Sequence, residues 1–379
     1  MIYLDNSATT KPYPEVVDSF QQVSTRFFAN PSSIHQFGGE AENLLIKARE
    51  QVADLLNVKS DEIVFTSGGT EGNNLAIKGI AFEHHKRGNH IITTEIEHPS
   101  VYDTCQSLEK LGYEITYLPV YEEGVISLTD LKKAIREDTI LISIMHVNNE
   151  LGSVQPIEEI GQIAKEYPKL YFHVDAVQGL AKVPLNLKRA GIDLCTFSGH
   201  KIHGLKGTGI LFIKEGLSLF PLFHGGGQEG EYRSGTENLA GAISISKAFR
   251  LSMENMDANI DGLIRLRDYL LKELGKIEGI LVNTAMNGAP HLVNFSVPGL
   301  KPEVMIHALG EADIAVSTKS ACSSKQLDES RVLSACGFSE ERAKSALRVS
   351  MSYSTTREEI DVFLKALKNT VNQLKEVLE

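Results

Sequence analysis

Tyr171-Phe172-His173-Val174-Asp175, Leu194-Cys195-Thr196-Phe197 and Gly209-Ile210-Leu211-Phe212-Ile213 decide the fold. They are short β-rich runs, and Glu62 to Thr66, His90 to Thr94 and Ile140 to Ile144 repeat the pattern upstream, with helical amphipathic stretches between most of them. Alternation of this kind predicts an α/β domain on a largely parallel sheet, where ligands gather outside the carboxyl ends of the strands. Asp175 ends one run, and Ser198-Gly199-His200-Lys201 follows another.

Outward from the sheet, a long helical stretch from about Asn238 to Lys276 leads into a second unit of roughly 100 residues. A strand around His291 to Val297, a helix from Pro302, a strand around Leu347 to Ser352 and a charged closing helix from Arg357 to Glu379 predict an α+β unit packed on the first. Residues 1–17 precede the first strong helical pattern and are expected to join it. The predicted division is therefore 18–255 for the large domain, and 1–17 with 256–379 for the small one.

Composition narrows the function. The 379 residues are 42% hydrophobic and 23% charged, as in an ordinary globular protein, and the net charge of -11 argues against a general nucleic-acid surface. The N-terminus lacks a basic region followed by a long apolar run, and no stretch of about 18 apolar residues occurs, so the expectation is a cytoplasmic protein without a membrane segment. Cys105, Cys195, Cys322 and Cys336 show neither paired spacing nor a dense framework, which disfavours disulfide scaffolding and Cys-based zinc sites. His200 and His203 invite a metal reading, but no third ligand accompanies them and Lys201 between them would repel a cation.

A lysine near an aspartate at strand ends suits pyridoxal phosphate. That cofactor needs an amine for its aldehyde and, across the ring, a carboxylate that keeps the pyridine nitrogen protonated as an electron sink. Ser67-Gly68-Gly69-Thr70-Glu71-Gly72-Asn73-Asn74 follows a strand and runs into a helical pattern, so its backbone N–H groups and a hydroxyl can meet a phosphate at the positive helix end. A tight turn with a capping hydroxyl is the plainer reading of the same residues. It matches neither the dinucleotide nor the Walker glycine pattern. Ser198, His200 and Thr236 could add phosphate contacts, His98 could stack on a cofactor ring, and the Asn148 amide could donate to a phenolate or a substrate carboxylate.

Asp5-Asn6-Ser7-Ala8-Thr9-Thr10, Asn30-Pro31-Ser32-Ser33-Ile34-His35, the Ser67 to Asn74 turn, Val147-Asn148-Asn149-Glu150-Leu151-Gly152, Ser198 to Lys201, His224-Gly225-Gly226-Gly227-Gln228-Glu229 and Arg233-Ser234-Gly235-Thr236-Glu237-Asn238 occur in one order. In that order they resemble cysteine desulfurases of the NifS/IscS type, class V aminotransferase-like enzymes that use pyridoxal 5'-phosphate. The resemblance covers nearly the whole chain. It implies fold-type I, the aspartate aminotransferase-like architecture, with Lys201 as the amine that holds the cofactor, Asp175 as partner of the pyridinium, Gln178 on the ring hydroxyl and His98 as the stacking and acid-base residue. Gly69, Thr70, Ser198 and His200 would hold the phosphate, Thr236 would reach a neighbouring subunit's phosphate in a homodimer, and Asn148 and Arg348 would bind the carboxylate of L-cysteine. Arginine suits that last task because its planar fork bonds a carboxylate in two places.

Cys322, in Thr318-Lys319-Ser320-Ala321-Cys322-Ser323-Ser324-Lys325, matches the family's nucleophile, and Lys319 and Lys325 favour its thiolate. Cys105 and Cys195 read as core thiols, and Cys336 precedes a glycine that looks like a helix cap. The family loop commonly has glycine where Lys319 stands. The resemblance implies conversion of L-cysteine to L-alanine with a persulfide on Cys322. The sulfur would pass to an acceptor protein, either a tRNA-thiolating enzyme, as in the NifZ-type branch, or an iron–sulfur scaffold. The rivals are a selenocysteine lyase or other class V enzyme, which would not depend on Cys322, and a non-catalytic dimeric scaffold.

Overall fold

The computed structural model describes residues 1–318 and 330–378. Its strands are β1 (Ile2–Tyr3), β2 (Ile63–Thr66), β3 (His90–Thr94), β4 (Glu114–Leu118), β5 (Thr139–Met145), β6 (Tyr171–Asp175), β7 (Leu194–Ser198), β8 (Gly209–Ile213), β9 (Leu281–Val282), β10 (Leu292–Ser296), β11 (Ile314–Ala315) and β12 (Ala346–Ser350). Seven form the main sheet in the order β2-β8-β7-β6-β5-β3-β4. All neighbours are parallel except β8, which runs against both β2 and β7. The carboxyl ends of β2, β3, β5, β6 and β7 consequently share one edge. β5 is buried at every residue, as befits a strand covered on both faces, whereas edge strand β4 is half-exposed. That edge strand, Glu-Ile-Thr-Tyr-Leu, is absent from the runs picked out by composition.

The second unit holds the sheet β12-β10-β9, antiparallel throughout. β1 pairs in parallel with β11, and the chain just after it bridges from Asp5 to Ser350. A separate apolar core gathers Leu4, Leu270, Phe295, Leu347 and Phe363 here. The helix Leu239–Leu274 runs from the main-sheet core, through Ile245 and Phe249, into this one through Leu263 and Leu274. Burying a side chain such as Phe363 contributes about 1.5–3 kcal/mol, and Ile360, Phe363, Leu367 and Val371 fix the closing helix Arg357–Leu378 by one face. The first helix, Pro14–Arg26, starts with proline at its first turn and places Val16 in the main-sheet core. Among the described residues no helix is long and apolar enough to cross a membrane.

Candidate active site

The shared carboxyl edge of the sheet opens into a cavity of about 270 Å³. Asp175 ends β6, and Lys201 follows β7 after the single turn Gly199–Lys201; both line the cavity. Asp175 accepts from the Val177 amide (3.0 Å) through one oxygen and from Asn73 Nδ2 (2.7 Å) through the other, which fixes the plane of the carboxylate. Lys201 Nζ donates to the carbonyls of Ser7 and of Ala8, the latter at 2.9 Å, so the N-terminal segment closes the site from the far side.

The helix Gly69–Glu83 starts at the cavity rim, and its N-cap, Gly68, has no side chain with which to cap it. Gly68 has φ 153° and ψ -177°, a backbone state that L residues rarely adopt. A Cβ on Gly69 would stand 2.9 Å from Val177 Cγ2, so glycine is what lets the helix end approach the strand ends. Gly69, Thr70, Ser198 and His200 all line the cavity there, a helix N-terminus with two hydroxyls and an imidazole. Burial, with Lys201 adding to it, pushes the His200 imidazole down to about 4. His200 and His203 do not share a target: His200 Nδ1 meets Thr9 Oγ1 at 3.2 Å, while His203 Nδ1 meets the Lys11 carbonyl at 2.9 Å and its ring stacks on Tyr13.

His98 caps the helix Pro99–Glu109 and lines the cavity. Burial lowers its imidazole below the usual range, Lys201 acting in the same direction and Asp175 against it. Arg348, 1% exposed, donates to the Asn149 carbonyl (2.9 Å) and pairs with Asp5 (2.9 Å). Gln178 donates to the Ser7 carbonyl at 2.9 Å.

Two expected residues stand apart. Asn148 is fully buried with both ends of its amide consumed: Nδ2 donates to the Ile96 carbonyl (3.0 Å) and Oδ1 accepts from the amides of Glu150 and Leu151. It therefore holds the turn after β5 in shape, and its neighbour Asn149 is the one that lines the cavity. Thr236 is exposed and does not line this cavity. Cys322 lies outside the described residues. The other cysteines are buried, and burial raises all three thiols, Cys336 to about 12.

Ser7, Asn73, Ser100 and Asn149 line the cavity beyond the residues the sequence singles out, three of them within the stretches Asp5 to Thr10, Ser67 to Asn74 and Val147 to Gly152. Asn73 carried a signal, an amide one helical turn beyond Gly69. Ser100 carried none, because a serine after a proline at a helix start reads as an ordinary cap.

Among the described residues, four buried polar atoms of the lining residues lack any partner: Ser7 Oγ, Asn73 Oδ1, Gln178 Oε1 and Arg348 Nε. Orphans of this kind cost about 1–3 kcal/mol each, and gathered around one cavity they call for a polar ligand. Pyridoxal phosphate fits the donor set, with an amine for its aldehyde, a carboxylate for its ring nitrogen, an imidazole wall and a glycine-lined helix end for its phosphate.

Comparison with known proteins points the same way. The family model described as Aminotransferase class-V matches residues 2–363. The chain is 46% identical to a protein named cysteine desulfurase IscS from Dictyoglomus turgidum, over 99% of this chain and 96% of that one. It superposes on a solved NifS-like protein with a TM-score of 0.92 at 36% identity, covering 98% of this chain and 99% of the other. A structure described as SspA in complex with cysteine matches with a TM-score of 0.81 at 34% identity, over 94% and 100% of the two chains. With a family match along almost its whole length and a cavity furnished for that family's cofactor, this chain belongs to the class-V aminotransferase family, in its NifS/IscS group.

Proposed function

We propose that this protein is a cysteine desulfurase that uses pyridoxal phosphate to convert L-cysteine to L-alanine, leaving a persulfide on Cys322. The observation that carries the reading is the convergence of Lys201, Asp175, His98 and Arg348 on one cavity, in a chain similar over its full length to a named cysteine desulfurase. The cofactor, when bound, supplies an electron sink for carbanion chemistry at the substrate α-carbon. Asp175 would hold its ring nitrogen, Gln178 its ring hydroxyl, and Gly69, Thr70, Ser198 and His200 its phosphate. Arg348 binds the substrate carboxylate through its guanidinium, whose Nε has no partner among the described residues, and Asn149 replaces Asn148 as the amide beside it. Lys201 takes the α-proton. The Cys322 thiolate attacks the substrate sulfur; the carbon–sulfur bond breaks with its electron pair on carbon, which is protonated to give alanine, and Cys322 keeps the sulfur as a persulfide.

The persulfide is then handed to an acceptor protein, and tRNA thiolation and iron–sulfur assembly are the two destinations the sequence resemblance favours. The working unit in this reading is a homodimer. Thr236 is exposed and outside its own cavity, which supports the reading that it would serve a partner's phosphate. The division into 18–255 and 1–17 with 256–379 is supported by the two apolar cores, although Val332, Leu333 and Ala343 pack with the main sheet.

The test is alanine formation from L-cysteine by the cofactor-loaded protein with reductant, native against Cys322→Ser. Alanine from the native chain alone supports the reading. Alanine from both points to a class V lyase independent of Cys322, and alanine from neither, with cofactor bound, points to another substrate or a silent scaffold.

A further inference from the structure

The hydrogen bonds around His98 leave its imidazole a single arrangement of protons. The Ser100 amide lies 3.1 Å from His98 Nδ1, and a backbone N–H can only donate, so Nδ1 must present its lone pair. Ser100 Oγ lies 2.8 Å from the same nitrogen. Behind it, Asn73 Nδ2 stands 2.7 Å from Asp175 Oδ2, and since a carboxylate only accepts, this end of the Asn73 amide is the NH2 group. Its second proton goes to Ser100 Oγ at 2.8 Å. The serine oxygen thus accepts from Asn73 and turns its own proton to His98. Nδ1 receives two donors, and the ring proton resides on Nε2, the nitrogen left to the cavity.

We infer that Ser100, oriented by Asn73 and Asp175, is a positioning residue that fixes His98 as the neutral Nε2–H tautomer, so that His98 gives a hydrogen bond to the cavity and proton acceptance falls to Lys201. The inference refines the role of a cofactor-site residue and so rests on the cavity's being that site. Protonating Nδ1 would point its N–H at the Ser100 amide N–H and forfeit both bonds. The positive end of the helix Pro99–Glu109 opposes an imidazolium as well. Of the charges facing the ring, Lys201 across the cavity and Arg331 from the helix Arg331–Ala335 oppose protonation, while Asp175 across the cavity and Asp103 on the ring's own helix favour it. Ser100 and Asn73 are 8% and 1% exposed, so water does not compete for these bonds.

The experiment is ring-nitrogen NMR of the full chain labelled at histidine with ¹⁵N, with and without pyridoxal phosphate, the His98 signals being those that vanish in His98→Gln. The expected result is a lone-pair shift at Nδ1 and a protonated shift at Nε2 at neutral pH. An Nδ1–H tautomer, or an imidazolium at neutral pH, overturns the inference. In Ser100→Ala the neutral ring loses one donor, so the His98 titration midpoint should move upward, and Ser100→Thr, which keeps the hydroxyl, should restore it. A midpoint unmoved in Ser100→Ala removes Ser100 from the role. Because the readout exists without substrate or turnover, it separates failure of this inference from failure of the desulfurase reading.

Discussion

On the sheet wall of the cavity, His98, Ser100, Asn73 and Asp175 form a continuous hydrogen-bonded chain built on helix starts and strand ends of one core. On the opposite wall, Arg348, Asp5, Ser7, Gln178 and Lys201 meet where the N-terminal segment passes between the main sheet and the second core. The first wall is built within the one core of the main sheet, its donors and acceptors a few ångströms apart on helix starts and a strand end. The second is a seam whose partners, such as Asp5 and Arg348, are brought together only by the completed fold. A site with one rigid wall and one assembled wall can fix a cofactor on the first and admit substrate along the second.

Substitutions can break this contrast in order of size. Lys201 belongs to both walls, attached after β7 and held by the Ser7 and Ala8 carbonyls, so Lys201→Ala should remove both anchoring and proton transfer. Alanine production should fall by about 10³-fold or more, and the visible absorbance of the amine-linked cofactor should disappear. An unchanged spectrum would transfer the anchoring role to another amine.

Arg348→Ala attacks the seam alone. It strands Asp5 and the Asn149 carbonyl in a nearly buried place, and removal of one partner of a buried pair costs about 3–5 kcal/mol. Denaturant unfolding should register that loss while cysteine binding weakens, and the cofactor spectrum, which depends on the sheet wall, should persist in the folded fraction. Retained stability together with a lost spectrum would contradict the division of labour.

The smallest effects distinguish the walls by the sign of their pH dependence. Glu97, behind the sheet wall, accepts from Thr94 Oγ1 (2.7 Å) and the Met145 amide (3.0 Å), and burial pushes its carboxyl up to about 8. Between about pH 4.5 and 8 the unfolded chain has released a proton that the folded one keeps, so stability falls as pH rises. Glu97→Gln should flatten that fall, on the order of 1 kcal/mol per pH unit at most. Lys182, behind the seam, donates to the Lys201 carbonyl at 2.9 Å, and burial pushes its amine down to about 7. Between about pH 7 and 10.5 the unfolded chain keeps the proton that the folded one has lost, so this group makes stability rise with pH. Lys182→Met should flatten that rise by a similar amount. Urea midpoints across pH 5–10 check both, and changes of slope of the same sign in the two variants, each relative to the native chain, would refute the assignment.

The same contrast governs what could be read in advance. The strand runs, the long helix and the glycine turn were legible because alternation, length and special φ values are properties of neighbouring residues, and Asp175, Lys201, Gly69 and His98 follow directly from strand and helix ends. β4 escaped because a half-exposed edge strand mixes polar and apolar residues. Asn148 and Asn149 are adjacent and chemically identical, and only the path of the turn after β5 decided that the first amide closes backbone bonds while the second lines the cavity. Ser100 became a site residue because Asn73, 27 positions earlier, donates to it. By itself, then, the sequence determined the α/β architecture, the strand-end positions of Asp175 and Lys201, and the family. The tertiary structure decided the proton arrangement at His98, which of Asn148 and Asn149 lines the cavity and the burial of Arg348 against Asp5, because hydrogen bonds of a few ångströms depend on where distant segments come to rest, which no local pattern records.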